Sequence, residues 1–279
     1  MRVLISGGTG QLGRALLRTA PLVECFAPTR QQLNLTDFDE LWTQVKQFAP
    51  DVIIHAAAMT DVDGCERDPE TAWSINALAT QHMAAAAQEA GARLVYLSTN
   101  FVFDGEASEP YHEFALARPI SVYGASKLAG EEALRALCPQ HYVVRTAMVY
   151  DEIGRNFVNT MLRLAHDHDR LTVVNDQFGN PTYAHDLALA IWKLIEQPSY
   201  GTFHLTNRGS TSWFDWAVEI FRLSSIDIRV EPILAADFQR AARPPRNGVL
   251  ANLAGAARGI ELSPWQDALA RCLAQRLAP

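Results

Sequence analysis

Long apolar runs are absent from this sequence. No stretch of about 18 uninterrupted apolar residues, the length that a membrane-spanning helix requires, occurs among the 279 residues. The N-terminal segment MRVLISGGTG has too short an apolar stretch for a signal peptide. We therefore expect a soluble, cytoplasmic protein without a membrane partner.

The sequence also has few cysteines and no excess of positive charge. The four cysteines lie far apart and form no C-x-x-C pair, which argues against a zinc site or a disulfide framework and predicts reduced, structural thiols. The formal net charge of -7 argues against a nucleic-acid partner, because such proteins normally present a basic face. An anionic ligand would have to be held by local features, such as helix N-termini or a few arginines.

The first half of the chain alternates short β-branched runs with longer helical patterns, which is typical of a parallel sheet covered by helices. Strands are predicted at residues 2–6, 23–27, 51–55, 93–98 and 142–146, and helices near 11–20, 37–48, 67–90 and 124–137. One further strand, from residue 171, and one further helix are predicted within 171–197. We predict an α/β fold: a doubly wound parallel Rossmann-type sheet in residues 1–150, with this addition, and a smaller, mainly substrate-binding lobe in residues 151–279.

A glycine-rich turn follows the first predicted strand. The segment ISGGTGQLGRALL carries Gly7, Gly10 and Gly13 between an apolar strand and a helix. Glycine is needed where such a turn is tight and where a pyrophosphate must approach backbone N–H groups at a helix N-terminus. The order of strand, turn and helix predicts a dinucleotide site, whereas the triplet without that context would often be only a loop.

The end of the second predicted strand bears on which cofactor binds. An acidic residue about 20 positions beyond the glycines would accept a hydrogen bond from the ribose 2'-hydroxyl of NAD. This chain has Thr29 and Arg30 in that region. An arginine without a neighbouring carboxylate suits a 2'-phosphate, which favours NADPH and leaves NADH as the alternative. Arg30 could also be a solvated loop residue. The turn that follows, with Asn34 and Leu35, would lie near the adenine.

Tyr123 and Lys127, in SVYGASKLAG, lie one helical turn apart, a spacing that any helix can also produce. Reduction of a carbonyl group needs a hydride from the cofactor and a proton donor beside the carbonyl oxygen. A tyrosine hydroxyl has a reference pKa of about 10 and donates slowly near neutral pH unless a nearby cation lowers that value. Lys127 would supply the cation and bind the nicotinamide ribose. A hydroxyl of LST (97–99) would hold the substrate oxygen at the ligand-binding edge of the sheet.

Seven segments resemble the dTDP-4-dehydrorhamnose reductases, a family of the extended short-chain dehydrogenase/reductase superfamily. Besides the glycine turn they are HAAAMTDVDGCE, LSTNFVFDG, YGASKLAGE, NFVNTMLRLA, VVNDQFGNPT and ARPPRNGVL, and the resemblance runs over essentially the whole chain. FVFDG together with GNPT is far more specific than the tyrosine and lysine pair. The resemblance implies an enzyme that reduces the 4-keto group of dTDP-4-dehydro-L-rhamnose to dTDP-L-rhamnose with NADPH or NADH.

The resemblance also implies roles for individual residues. Tyr123 would be the proton donor, Lys127 its partner on the ribose, and Thr99 the hydroxyl that orients the substrate. The other expected contacts are to the pyrophosphate, from Gly10, Gln11 and Leu12 beside Gly7 and Gly13; to the nicotinamide half of the cofactor, from Ala57, Ala58 and Met59; and to the substrate, from Asn100, Met148 and Arg243.

Several positions depart from the family's pattern. Asn100 replaces the usual aspartate after Ser-Thr, Met148 replaces a tryptophan that forms one wall of the sugar pocket, and Gly248 stands where serine is common. Ala15 replaces a glutamate that some members use for a metal at a dimer interface, so we predict neither that metal nor that dimer, and a homodimer of another kind stays open. None of these changes touches the three catalytic candidates, so the reaction type is more firmly implied than the exact sugar.

Three interpretations of the function remain open. The first is the NADPH-dependent reductase, and the second is a reductase of another NDP-4-ketosugar or of a nucleotide-free carbonyl compound, for which Asn100 and Met148 argue. The third is a non-catalytic, NADP-binding regulatory subunit, since a fold does not guarantee turnover. Arg243 could be a surface residue, and Asn76, inside a predicted helix, could serve structure or function. The HDHD segment (166–169) is predicted to be solvated rather than to bind a metal.

Overall fold

The computed structural model describes residues 1–276 and contains a six-stranded sheet and a smaller lobe. The strands are β1 (Arg2–Ser6), β2 (Glu24–Phe26), β3 (Val52–His55), β4 (Arg93–Thr99), β5 (His141–Thr146), β6 (Val149–Tyr150), β7 (Arg170–Val174), β8 (Phe178–Gly179), β9 (Thr182–Tyr183), β10 (Gly201–His204), β11 (Thr211–Ser212) and β12 (Arg229–Ile233). The helices are α1 (Gln11–Arg18), α2 (Phe38–Phe48), α3 (Val62–Arg67), α4 (Pro69–Trp73), α5 (Ala79–Ala90), α6 (Val122–Leu137), α7 (Phe157–Asp167), α8 (Ala184–Ile195), α9 (Trp213–Leu223), α10 (Leu253–Ala256) and α11 (Trp265–Arg276). Among these residues, no helix combines the length and the apolar character that a membrane crossing demands.

The main sheet has the strand order β10-β5-β4-β3-β1-β2, and every pairing in it is parallel. Its central strands are continuous buried runs, such as VIIH in β3, because helices cover both faces. The direction of winding reverses between β1 and β3, and ligands bind outside the carboxyl ends of the strands at such a point. The prediction of a doubly wound, Rossmann-type α/β fold is confirmed.

Each face of the sheet packs against its own set of helices. Val3 and Ile5 of β1 lie in one buried cluster with Trp192 of α8, and Leu4, between them, lies in another with Met83 of α5. This alternation follows from the side-chain period of two in a strand. Full burial of such a side chain stabilises the fold by roughly 1.5–3 kcal/mol. The edge that carries the site is therefore supported from both faces.

The smaller lobe has an aromatic core. Tyr150, Tyr183 and Trp216 are buried together with Trp265 of α11, and the ring centroids of Tyr150 and Trp216 are 5.4 Å apart. Three two-stranded sheets, β7 with β12, β6 with β9 and β8 with β11, lie outside the main sheet. A smaller lobe was predicted here, and its boundary at residue 150 and its substrate-binding role stay predictions.

One predicted strand joins a different sheet from the one expected. The strand from residue 171, expected to extend the Rossmann core, is β7, and it pairs with β12 in parallel. The sixth strand of the main sheet is β10, which pairs with β5. The prediction was wrong about this strand, whereas α8 packs in the core beside α1. A short apolar run shows that a strand is buried, but it does not specify the strand's partner.

The predicted helix over residues 67–90 contains an interruption. Between α4 and α5 the backbone widens into a π-helical turn at Ser74–Leu78, and α5 then ends before Gly91, which has a φ of 66°. Turns of this kind occur frequently at functional sites. Here the turn directs Asn76, which is 1% exposed, into the protein.

Candidate active site

The glycine-rich turn lies between β1 and α1. Gly7 has a φ of 75°, which favours glycine, and a Cβ there would lie 2.8 Å from the backbone nitrogen of Ala57. A Cβ on Gly13 would overlap the carbonyl oxygen of Gly7. Gly10 is the N-cap of α1 and offers no side chain to the helix N–H groups, while Leu12 packs against the core. These uncapped donors and the close approach of backbone fit a pyrophosphate.

The segment after β3 lies against the glycine turn and is joined to α6 by hydrogen bonds. Asn76 accepts a hydrogen bond from the backbone nitrogen of Met59 (2.9 Å) and donates to the Met59 carbonyl oxygen (3.1 Å) and to Ser126 Oγ (3.1 Å). These bonds fix the backbone of Met59 to the helix that carries Tyr123. The predicted cofactor residues Ala57, Ala58 and Met59 therefore lie on a segment whose end at Met59 is held to α6 by Asn76.

The region predicted for the adenosine end of the cofactor is a polar turn after β2. The amide and hydroxyl of Thr29 donate to Gln32 Oε1 at 2.9 and 3.0 Å. Arg30 is exposed, so its guanidinium can reach a 2'-phosphate. Asn34 accepts two hydrogen bonds inside its own turn, and Leu35 packs against the core. Arg30 is the residue here whose exposure and charge best fit the predicted contact.

The three catalytic candidates converge at the carboxyl edge of the sheet. Thr99 ends β4, and Tyr123 and Lys127 lie on α6, whose first turn is capped by Ser121. All three are buried, with Thr99 5%, Tyr123 9% and Lys127 2% exposed. Thr99 Oγ1 accepts from the backbone nitrogen of Phe101 (3.2 Å), and Phe101 packs edge-on against the Tyr123 ring with centroids 5.4 Å apart. The structure thus collects a hydroxyl, a phenol and an amine in one buried group.

Burial controls the protonation of this group. It raises the pKa of Tyr123 to about 12, although the contact with Thr99 acts in the opposite direction. It lowers the pKa of Lys127 to about 7, against the attraction of the Glu131 carboxylate, and Lys127 Nζ lies 4.1 Å from the ring centroid of Tyr96. From the sequence we expected the lysine to lower the pKa of the tyrosine, and in the structure that pKa is raised because desolvation dominates. Tyr123 therefore keeps its proton at neutral pH.

A buried carboxylate supports this group and was missed in the sequence. Glu131, one turn beyond Lys127, accepts from Ser98 Oγ (2.5 Å) and from Nε and Nη2 of Arg145 (2.9 and 2.7 Å). Ser98 precedes Thr99 on β4 and Arg145 lies on β5, so one carboxylate joins α6 to both strands. Two signals could have revealed it: an arginine inside the apolar run YVVRT, and an acid four residues after Lys127.

Asn100 and Gly248 form one contact beside Thr99. The Asn100 amide nitrogen donates to the carbonyl oxygen of Gly248 (3.0 Å), and its amide oxygen accepts from the Thr99 hydroxyl (3.3 Å). A Cβ on residue 248 would overlap the Asn100 amide nitrogen. Two departures from the family's pattern, 148 residues apart, are therefore physically coupled, and the coupling reaches the Thr99 hydroxyl.

Met148 adopts a left-handed backbone conformation, with a φ of 46°, which is uncommon for a residue other than glycine. Its sulfur lies where a side chain on Gly179 would be, and its carbonyl oxygen accepts from the backbone nitrogen of Thr182 (3.1 Å). Backbone strain of this kind clusters at ligand-binding sites. The conformation is consistent with the predicted place of Met148 in the substrate pocket.

Arg243 lines a cleft of about 470 Å³. Val174, Asp176 and Gln177 line one side, the segment from Ala235 to Arg246 lines the other, and Arg240 and Arg246 also face the cleft. In a chain with a net charge of -7, this concentration of arginines fits an anionic group. Within residues 1–276, Arg243 forms no hydrogen bond or ion pair with the catalytic candidates.

Hydrogen bonds connect the glycine turn to the segment that follows β6. Arg14 of α1 donates to the carbonyl oxygens of Thr9 (2.6 Å) and Ile153 (2.9 Å). Asn156 donates to the side-chain oxygen of Gln11 (2.9 Å). Gln11, predicted to line the pyrophosphate, is therefore also a contact to this segment.

No metal centre is formed by the residues that the structure describes. No group of three or more histidine, cysteine, aspartate or glutamate side chains among them is arranged to hold an ion. His166 to Asp169, at the end of α7 and in the turn after it, are exposed, and Ala15 is fully buried.

Comparison with known proteins relates this geometry to one family. The family model described as RmlD substrate binding domain matches residues 1–277. The dTDP-4-dehydrorhamnose reductase of Aggregatibacter actinomycetemcomitans is 38% identical over 285 residues, which cover 96% of this chain and 97% of that protein. The crystal structure of the Clostridium acetobutylicum dTDP-4-dehydrorhamnose reductase is 42% identical, with a TM-score of 0.95 over 99% of both chains. That of the Bacillus anthracis enzyme, in complex with NADP, is 37% identical, with a TM-score of 0.96 over 98% of this chain and 99% of that one. The chain therefore belongs to the RmlD substrate binding domain family and is an oxidoreductase.

Proposed function

We propose that this protein reduces the 4-keto group of dTDP-4-dehydro-L-rhamnose with NADPH to give dTDP-L-rhamnose. The observation that carries the proposal is the buried group of Thr99, Tyr123 and Lys127 at the carboxyl edge of the sheet, the edge that also carries the glycine turn. The similarity to dTDP-4-dehydrorhamnose reductases over nearly the whole chain supports the choice of substrate.

NADPH, when bound, supplies the hydride. The N–H groups at the start of α1 would hold its pyrophosphate, and Arg30 would pair with the 2'-phosphate. The complex of the Bacillus anthracis relative with NADP supports this cofactor. Lys127, buried beside Tyr123, would donate to the ribose.

Tyr123 would give its hydroxyl proton to the sugar's carbonyl oxygen as that oxygen gains negative charge. Its pKa of about 12 keeps the proton in place at neutral pH, so the donor form is the populated one. Thr99 would orient the substrate oxygen, and the Asn100 amide in turn orients Thr99 through their hydrogen bond. The ammonium of Lys127 would stabilise the phenolate that remains after the transfer.

Substrate binding would extend from this buried group to the arginine-lined cleft. Arg243 is the residue there that the sequence predicted for the diphosphate, because a planar guanidinium pairs with two phosphate oxygens. Met148 and Asn100 would contact the sugar, and they differ from the residues usual in the family. The sugar pocket is therefore where a difference in substrate would arise.

The direct test is a reductase assay. Purified protein, NADPH and enzymatically prepared dTDP-4-dehydrorhamnose should show a continuous loss of absorbance at the reduced-nicotinamide band. The product should co-elute with dTDP-L-rhamnose. An absorbance that stays constant, with a known reductase active in the same mixture, would overturn the proposal.

A second candidate keeps the mechanism and changes the substrate. Asn100 and Met148 favour it, since both alter the predicted sugar pocket. Comparing turnover on dTDP-, UDP- and GDP-linked 4-ketosugars separates it from the leading proposal. The buried group of three catalytic candidates disfavours a non-catalytic regulatory subunit. A cytoplasmic location, a homodimer and the lack of a nucleic-acid partner stay predictions.

A further inference from the structure

Residues 239–245, here named the strap, form one side of the arginine-lined cleft. In the part of the chain that the structure describes, every hydrogen bond of the strap is made with one side chain, that of Asp63. The strap itself contains no helix or strand. All of the hydrogen bonds that hold the strap beside the cleft therefore end on a single carboxylate.

Asp63 accepts three hydrogen bonds from the strap. Arg240 donates through Nε and Nη2, both at 3.1 Å, to the two carboxylate oxygens, and the backbone nitrogen of Ala242 donates at 2.9 Å. Burial acts to raise the pKa of Asp63, but the bonds from Ala242 and Arg240 outweigh it and hold that pKa below its usual value. Two-point pairing of a guanidinium with a carboxylate also fixes their relative orientation.

The segments on either side of the strap have different anchors. Before it, the backbone nitrogen of Ala235 donates to Asp176 (2.7 Å). After it, Asn247 donates through its side chain to the carbonyl oxygens of Ala107 (2.8 Å) and Glu109 (3.1 Å). Loss of the Asp63 contacts would therefore release the strap while its flanks stay attached.

Asp63 lies on α3, which also packs on the catalytic group. Cys65, two residues further along α3, is fully buried in a cluster with Tyr123. The same short helix thus contacts the proton donor on one side and the strap on the other. This places the strap at a fixed position relative to the reacting end of the site.

We propose that Asp63 is a positioning residue that latches the strap in place and thereby sets the affinity for the diphosphate part of the nucleotide sugar. It takes no part in hydride or proton transfer. The inference rests on the proposed function, because it assigns the anionic end of that substrate to the cleft that the strap lines. If Asp63 and Arg240 formed only an ordinary solvated ion pair, replacing Asp63 would change neither the hydrogen exchange of the strap nor the affinity for the substrate.

The test compares Asp63→Ala and Asp63→Asn with a control, Glu219→Gln. Glu219 pairs with Arg222 through two bonds of 2.7 Å on α9, so the control breaks a similar pair away from the strap. Hydrogen exchange of peptides that cover the strap should become faster in Asp63→Ala, since the Ala242 N–H loses its acceptor, and should be unchanged in the control. This measurement needs neither substrate nor activity.

The kinetic measurement uses NADPH and the dTDP-linked 4-ketosugar. We expect KM for the sugar to rise about ten-fold in Asp63→Asn, with kcat and the Kd for NADPH within about two-fold of wild type. Arg240→Gln should raise KM similarly, and the double variant should add little, because both changes break the same contact.

Two results would overturn the inference. One is unchanged strap exchange in Asp63→Ala, and the other is a loss of kcat in Asp63→Asn with KM unaltered. If the wild-type protein does not reduce the ketosugar at all, only the proposed function fails. The exchange measurement still decides whether Asp63 holds the strap.

Discussion

On the α6 side of the site, Glu131 and Arg145 are 0% and 3% exposed, whereas on the strap side the side chains of Asp63 and Arg240 are 29% and 28% exposed. The first pair joins a helix to two strands of the main sheet. The second holds one irregular segment of chain. Both pairs are two-point contacts between arginine and carboxylate, so the difference lies in their surroundings and not in their chemistry.

Burial changes what such a pair does. Removing one partner from a buried pair leaves an uncompensated charge and costs about 3–5 kcal/mol, whereas a solvated pair contributes roughly 0.2–1 kcal/mol. The α6 side therefore holds Tyr123 through contacts that are costly to break, whereas the strap is held by a contact that costs less to break. In the proposed function, the chemistry lies on the α6 side and the recognition of the diphosphate on the strap side.

The largest expected effect is on the α6 side and concerns the rate of reduction alone. Tyr123→Phe removes the hydroxyl and keeps the ring that packs against Phe101, so reduction should fall by about 10²–10⁴-fold. Affinity for NADPH, measured by fluorescence titration, should stay close to wild type. Activity equal to wild type would remove Tyr123 from the mechanism.

The next effect concerns stability. Glu131→Gln should lower the free energy of unfolding by about 3–5 kcal/mol, because Arg145 loses its charged partner while it stays buried. Glu219→Gln, on the surface of α9, should cost no more than about 1 kcal/mol. Urea denaturation of the two variants makes the comparison. Equal losses would mean that burial does not distinguish the two kinds of pair.

Lys127 should destabilise the fold in a pH-dependent way. Its pKa is lowered from 10.5 to about 7, so between these values the unfolded chain binds the proton more tightly and stability rises with pH. At pH 7 the free energy of unfolding of Lys127→Met, measured with denaturant, should therefore exceed that of wild type by roughly 2–4 kcal/mol. The variant should not reduce the ketosugar. The gain in stability should be full below pH 7 and disappear above pH 10.5. A variant less stable than wild type at pH 7 would contradict the assigned burial cost.

The smallest effect tests the contact between Asn100 and Gly248. Gly248→Ala should displace the Asn100 amide from Thr99 and lower kcat/KM about ten-fold, which corresponds to about 1.4 kcal/mol. In the background of Asn100→Ala the same change should have little effect, since the amide is no longer there to be displaced. Additive losses in the double variant would show that the two residues act independently.

The local parts of this site could be predicted from sequence. The glycine turn depends on neighbouring residues in a strand, a turn and a helix, and Tyr123 and Lys127 need only one helical turn between them. The family resemblance added Thr99, which lies on a different element. Each of these features is contained in a short segment whose residue types directly reflect its conformation.

The remaining parts depend on contacts between distant residues. Asp63 and Arg240 are 177 residues apart, and neither position carries a signal for the other. The pKa directions of Tyr123 and Lys127 follow from how deeply the fold buries them, and spacing alone does not give that depth. For the same reason, the strand at residue 171 was assigned to the wrong sheet.

The hydrogen bonds of Arg14 and Asn156 have a consequence for the order in which ligands bind. They connect the glycine turn, where a cofactor's pyrophosphate would lie, to the segment around Ile153. A cofactor whose pyrophosphate restrains the turn would also restrain this segment through these bonds. We expect NADPH to bind first and NADP to leave last, so NADP should inhibit competitively against NADPH and noncompetitively against the sugar at subsaturating concentrations of the other substrate. A pattern typical of random binding would show that the two ends of the site fill independently.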